Sequence, residues 1–341
     1  MMQPASHVAA FLRGRVYDPQ ALTPLPGDAS ARHYDRLAGQ GLLLMQDQPD
    51  AVDLRNFVTV SRYLTALGLS APRIHALDQA AGLALIEDFG QQTFTRLLAE
   101  GQAEAPLYEL AVTALVHLHV QNPARRPALP GYDAQPLLEE LEMFTDWYVP
   151  YCAPQLDASA FKVAFLALWR KAFAKIAQRQ EVLVLRDYHV DNLMVLPGRH
   201  GVARCGLLDF QDAVFGVAAY DLVSLTQDAR RDLEAGLEER LVSFYLARRP
   251  ELEPTAFMAD YWLLAAHRHT KILGNFERLS KRDGKHQYLA FIPRVQRQLV
   301  RALAQAGLAE ISALMQRDLP NWATHQPVTP LPANDPKAPA A

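Results

Sequence analysis

Apolar positions in this chain fall either in short continuous runs or at helical spacing, and the change from one to the other marks its organisation. Over Asp53–Leu67 the residues Leu54, Phe57, Val58, Leu64 and Leu67, with Ser61, fall at helical spacing, and Gly68 is placed to stop the helix. Ahead of it, residues 26–37 and the run Gly41-Leu42-Leu43-Leu44-Met45-Gln46 predict a hairpin and a third strand. Pro72–Leu77 and Leu83–Ile86 predict two more, closing a five-stranded antiparallel sheet behind a short N-terminal helix and lead-in. After residue 90 the pattern turns helical. Leu107, Leu110, Ala111, Ala114, Leu115 and Leu118 mark a buried helix, on which His117 and His119 read as packing or capping residues. Segments 137–148 and 160–178 continue as helices, and a mostly helical stretch runs to about Gln316. The expected fold is therefore α+β in two lobes: a small antiparallel-sheet lobe over 1–90, a larger mainly helical lobe over 91–319, and a Pro-rich flexible tail over 320–341 that cannot bury enough apolar surface to order itself.

One polar constellation interrupts the apolar pattern. Val184-Leu185 leads into Arg186-Asp187-Tyr188-His189-Val190-Asp191-Asn192, the run Leu193–Leu196 follows, and Gly206-Leu207-Leu208 leads into Asp209-Phe210. Read as strand, loop, strand, turn and strand, this directs Asp187, Asn192 and Asp209 toward one point. The layout suits phosphoryl transfer: one carboxylate orients the attacking hydroxyl, while an amide and a second carboxylate hold Mg²⁺ on the phosphates. Mg²⁺ demands oxygen ligands at short, near-octahedral positions, so its protein ligands must converge. Each residue alone is also an ordinary turn former; the three in order between apolar strands favour the metal reading. The turn Gly27-Asp28-Ala29-Ser30 is a candidate cradle of backbone N–H groups for phosphates.

Composition narrows the class. The 341 residues, half of them hydrophobic, suffice for two packed lobes. A formal charge of −3 provides no field toward nucleic acid or a membrane surface, and no apolar run approaches the roughly 18 residues that span a bilayer. The N-terminus lacks the charged start and apolar centre of a secretory signal, and Cys152 and Cys205 read as reduced thiols. A cytoplasmic protein, monomeric or weakly dimeric, with a small-molecule partner is expected.

The pattern His-Arg-Asp followed by Asn and then Asp-Phe-Gly, known from protein kinases, is met here as Leu185-Arg186-Asp187 to Asn192 and Asp209-Phe210-Gln211. From about Gly27 to Gln316 the chain resembles the aminoglycoside phosphotransferase-like small-molecule kinases, which include choline, homoserine and fructosamine kinases. The resemblance implies a two-lobed protein-kinase-like fold that uses ATP and Mg²⁺. It assigns Asp187 as catalytic base, Asn192 and Asp209 as metal ligands, and Glu87-Asp88-Phe89-Gly90 as the hinge facing adenine, with Glu87 and Phe89 cofactor-binding. Arg186 would brace the loop. Asp221 would brace it too, or merely cap a helix. A narrower likeness is carried by Asp209–Val214 with Gly216, by Tyr220–Leu225, by Gly27–Ser30 with Arg32 and Tyr34, and by Arg268–Gly274 with Arg282–Lys285. These resemble the bacterial N-acetylmuramate/N-acetylglucosamine anomeric kinases of cell-wall recycling. The alternatives are a same-fold kinase of another small alcohol, such as an aminoglycoside, choline, homoserine or another sugar, and a non-catalytic nucleotide-binding pseudokinase.

The chain departs from the general kinase pattern at one pair. The third strand should carry a lysine for the α/β-phosphates and the following helix a glutamate to hold it; Met45 stands at the first position, and residues 53–67 contain no glutamate. Arg32 either takes over the phosphate charge or is a solvated strand arginine. On the acceptor side Arg268, Lys271 and Asn275 share a helical face, with His269 beside them. This predicts a cationic wall for a carboxylate-bearing sugar, to which His189 and Trp147 are candidate contributors. A solvated basic stripe is the plainer reading.

Overall fold

The sheet forms where the short apolar runs predict strands. In the computed structural model, which describes residues 6–25, 32–121 and 126–327, strands β1 (Leu22–Pro24), β2 (His33–Leu37), β3 (Leu42–Gln46), β4 (Ile74–Asp78) and β5 (Leu83–Glu87) lie in the order β1-β2-β3-β5-β4, with all pairings antiparallel. Helix α1 (Ser6–Arg13) seals one face, with Val8, Phe11 and Leu12 against Leu44, Leu83 and Leu85. Helix α2 (Val52–Ala66) buries Leu54, Phe57, Val58, Val60, Ser61 and Leu64. It ends where expected. Gly68 takes φ +80°, open to glycine without a Cβ penalty, and Leu69 N–H closes back onto Leu64 O at 3.1 Å. The turn Gly27–Ser30 lies outside the described residues.

Contacts divide the chain into two units, Met1–Pro130 with Val182–Phe215 and Glu239–Arg249, and Gly131–Glu181 with Gly216–Glu238 and Pro250–Ala341. In the first unit the sheet and α2 are followed by α3 (Phe94–Ala99) and α4 (Glu104–His119). The catalytic segment joins this unit through named bonds: Leu207 N–H to Ser70 O at 2.7 Å, Ser70 Oγ to Ala203 O at 2.5 Å and Tyr188 Oη to Ala111 O at 2.8 Å. On α4, His117 Nε2 meets Leu67 O at 2.7 Å, and His119 Nδ1 meets Tyr245 Oη at 2.7 Å. Burial, with the nearby Arg249 charge, drives the His119 pKa down to about 3, so that ring is a neutral core group.

The second unit contains α5 (Ala134–Met143), α6 (Val149–Cys152), α7 (Ala158–Phe173), α8 (Ala219–Thr226), α10 (Pro254–Asp283), α11 (Ile292–Gln305) and α12 (Ala309–Asp318), while α9 (Leu237–Leu246) begins at the unit boundary. The 30-residue α10 is its axis. Glu253 caps its N-terminus, Pro254 opens it, Gly284 at φ +69° ends it, and α5, α8 and α11 pack along it. Residues 144–148, expected as ordinary helix, form a turn of π-helix between α5 and α6. Gly274 of α10 lies against this turn so closely that a Cβ would stand 2.1 Å from Met143 C and O. We expect Gly274→Ala to cost on the order of 3 kcal/mol, since backbone cannot yield as a side chain does. Chemical denaturation measures this, and an unchanged midpoint would show that the two helices can separate freely. The first residues of the expected tail are ordered: Leu319 and Trp322 are buried. Gln296 Nε2 donates to Trp322 O at 3.0 Å and to His325 O at 2.8 Å, so apolar burial and backbone bonds hold residues 322–325.

Candidate active site

Strand register brings the predicted polar groups together. β6 (Val182–Val184) leads into the loop, and β7 (Leu193–Val195) pairs antiparallel with β8 (Cys205–Leu207), matching Leu193 to Leu207 and Val195 to Cys205. One step beyond this ladder, Leu208 N–H donates to Asn192 O at 2.9 Å, so Asn192 and Asp209 become neighbours although far apart in sequence. Asn192 Nδ2 donates to Asp187 O at 3.0 Å and to Asp209 Oδ2 at 3.4 Å. The amide nitrogen is thus engaged on protein acceptors, and its Oδ1 is the atom suited to a cation. Among the described residues four non-glycine residues have positive φ, and two of them are here, Arg186 at 70° and Asp209 at 57°. Such conformations persist where surrounding contacts over-determine them, and they cluster at functional sites.

The electrostatics of Asp209 fit a divalent ion. Burial raises its carboxyl above the usual range and the charges of Asp187 and Asp212 add to that push, while the Gln211 hydrogen bond and the Arg32 charge oppose it. Three crowded carboxyl groups make a local field that a hard cation would relieve, and carboxylate plus amide oxygen is a Mg²⁺ donor set.

Other expected site residues are placed as follows. Arg186 Nη1 lies 3.5 Å from Asp212 O, bridging the two halves of the site. His189 is buried, its Nε2 lies 3.3 Å from Asn192 Nδ2 and its Nδ1 4.0 Å from Asp191 Oδ2. At the short helical turn Val190–Asn192 the ring lies inward against the Asn192 amide. The Glu87 side chain is paired with Arg199, whose guanidinium stands 5.2 Å from the Phe89 ring; both hinge side chains are thereby occupied in bracing, and adenine recognition there would fall to the backbone. Asp221 is fully buried in the first turn of α8, whose N-cap is Ala218, so the capping alternative does not hold.

The residues expected to form a cationic wall are each buried or paired within the fold. Arg268 is buried with its guanidinium 5.7 Å from the Tyr220 ring. His269 has no exposed surface, and its Nε2 meets Gln227 Oε1 at 2.8 Å. Burial, with the Arg268 and Arg301 charges, lowers its pKa to about 3, leaving it neutral. Lys271 Nζ is paired with Glu140 at 2.8 Å. Helical spacing identified residues that share a face of α10, but that helix is covered by its neighbours. Trp147 sits half-buried in the π-turn. Sequence reasoning gave no site role to Asp47, Gln211 or Phe57, which the structure gathers around Arg32 and Asp209.

With this geometry in view, the profile of the phosphotransferase enzyme family matches residues 21–257. The chain belongs to that family. An N-acetylmuramate/N-acetylglucosamine kinase of Caulobacter vibrioides is 38% identical, over 92% of this chain and 96% of its own. A protein of the same name from Pseudomonas aeruginosa is 34% identical over 87% and 88%. Among solved structures, choline kinase LicA of Streptococcus pneumoniae superposes with a TM-score of 0.60 at 14% identity, covering 88% of this chain and 99% of that one. An aminoglycoside phosphotransferase of Streptomyces rimosus, in complex with ADP and streptomycin, gives 0.53 at 16% over 77% and 98%. At such identities the structures speak for the fold, which is protein-kinase-like, and the family membership makes the chain a phosphotransferase.

Proposed function

We propose that this phosphotransferase moves the γ-phosphoryl group of ATP to the anomeric hydroxyl of a free amino sugar, N-acetylmuramate, N-acetylglucosamine or both, in cytoplasmic cell-wall recycling. The observation that carries the reading is the 38% identity to a kinase of that name over 92% of the chain, together with the convergence of Asp187, Asn192 and Asp209. Asp187 accepts a hydrogen bond from the anomeric hydroxyl and aligns its oxygen with the γ-phosphorus. The new P–O bond forms as the bond to the β–γ bridging oxygen breaks, ADP leaves, and the hydroxyl proton passes to the carboxylate and then to solvent. Mg²⁺ held by Asn192 Oδ1 and the Asp209 carboxylate would neutralise charge on the phosphates. The transition state is loose, so positioning and charge provide most of the rate. Gly27–Ser30 would cover the triphosphate, and the Glu87–Phe89 hinge would meet adenine. No helix among the described residues is long and apolar enough to cross a membrane.

Phosphorus NMR after incubation with ATP, Mg²⁺ and each free sugar tests this directly. An anomeric sugar phosphate is the expected product. Phosphate release without a sugar ester, or preferred phosphorylation of an aminoglycoside or choline from a mixed panel, would overturn the acceptor assignment.

A further inference from the structure

The kinase ion pair is missing from its usual place, and a different one stands nearby. Met45 on β3 is wholly buried between Tyr34 and Ala84, and α2 contains no glutamate. Phe57 stacks on Phe210 with ring centroids 5.1 Å apart, so the contact from α2 to the metal-binding turn is apolar. The charge has moved along the hairpin. His33 pairs with Gln46 at the end of the β2–β3 ladder, and Arg32 and Asp47 each lie one residue beyond it. Arg32 is buried. Its Nε and Nη2 both lie 3.1 Å from Asp47 Oδ2, and its Nη1 lies 3.3 Å from Gln211 Oε1. Gln211 Nε2 in turn donates to Asp209 Oδ1 at 2.8 Å. A single amide therefore orients a guanidinium through its oxygen and a metal ligand through its nitrogen.

We propose that Arg32 is the cation that binds the nucleotide's α/β-phosphates, with Asp47 as its counter-charge and Gln211 as the positioning residue that registers it against Asp209. The logic of the usual pair is kept: a carboxylate holds the cation while the cation faces phosphate. An arginine suits the new position, because its planar fork can bind carboxylate, amide and phosphate oxygens at once. Gln211 stands where the kinase pattern has glycine, and its length spans the gap between Arg32 and Asp209 that glycine would leave open. This inference rests on the reading of the site as an ATP site, and independently of the sugar it acts on.

The test compares binding of Mg²⁺·ATP and of adenosine to the full chain by calorimetry. Arg32→Gln retains hydrogen-bonding capacity toward Asp47 but removes the charge. It is expected to weaken Mg²⁺·ATP about 10- to 100-fold, the scale of a lost charge-assisted contact, and to leave adenosine unchanged. Arg32→Lys should recover part of the loss. Gln211→Met, similar in length but without the amide, should raise the Mg²⁺ concentration needed for ATP binding while adenosine again stays the same. A folded Arg32→Gln variant with wild-type Mg²⁺·ATP affinity overturns the proposal, as does an equal loss for ATP and adenosine, which would mark a structural role. Either result leaves sugar phosphorylation by the wild-type chain untouched, whereas a wild-type chain that binds no ATP removes both readings.

Discussion

Asp187→Asn is expected to cut sugar phosphorylation by about 10²- to 10⁴-fold, the usual contribution of a positioned base, and to leave Mg²⁺·ATP affinity within about twofold. The split follows from which atoms of Asp187 do what. Its backbone carbonyl anchors Asn192 Nδ2 at 3.0 Å and accepts from His189 N–H at 3.1 Å, and neither bond involves the side chain. Asparagine retains the loop and its Arg186 turn, but it cannot accept the proton of the attacking hydroxyl. Steady-state rates and nucleotide calorimetry on one preparation give both numbers. Robust turnover in this variant would reject Asp187 as the base, and a parallel loss of ATP binding would mean that the carboxylate belongs to the metal site instead.

Asp209 should behave in the opposite way. Replacement by asparagine is preferable to alanine because Asp209 adopts φ +57°, a region that asparagine tolerates better than residues with a plain Cβ. Asp209→Asn removes the carboxylate proposed to hold Mg²⁺, so Mg²⁺-dependent ATP binding is expected to fall by at least about tenfold, with turnover falling at least as far. The folded chain without nucleotide should be no less stable, and its melting temperature is expected to hold or rise. The reason is linkage. The Asp209 pKa is raised in the fold by burial and by Asp187 and Asp212, so the native state binds that proton more tightly than the unfolded chain does. The corresponding stability is present below the unfolded carboxyl pKa and is lost as pH rises through the folded value. The variant has no such proton to lose, and its advantage should grow from acid toward neutral pH. A thermal melt series with and without Mg²⁺ reads both effects, and unchanged metal dependence would remove Asp209 from the metal site.

These two results would separate the proposed base from the proposed metal ligand, and both residues stand out in the sequence because their geometry is built locally. Asn192 and Asp209 flank the short β7–β8 ladder, so once apolar runs are recognised as strands their convergence follows from register. The same holds for α2, whose period and glycine stop are properties of adjacent residues. Tertiary structure alone decided the rest. Arg268, His269 and Lys271 read as a basic face by spacing, yet spacing tells which residues share a side of a helix, not what covers it; α10 is packed on by α5, α8 and α11, burial leaves His269 neutral, and Glu140 pairs with Lys271. His189 was free to point outward until the Val190–Asn192 turn folded it against Asn192. The Arg32–Asp47–Gln211 chain joins residues up to 179 positions apart, which no window along the polymer can link. A buried guanidinium needs its counter-charge within hydrogen-bond reach, and only the folded chain selects which carboxylate that is.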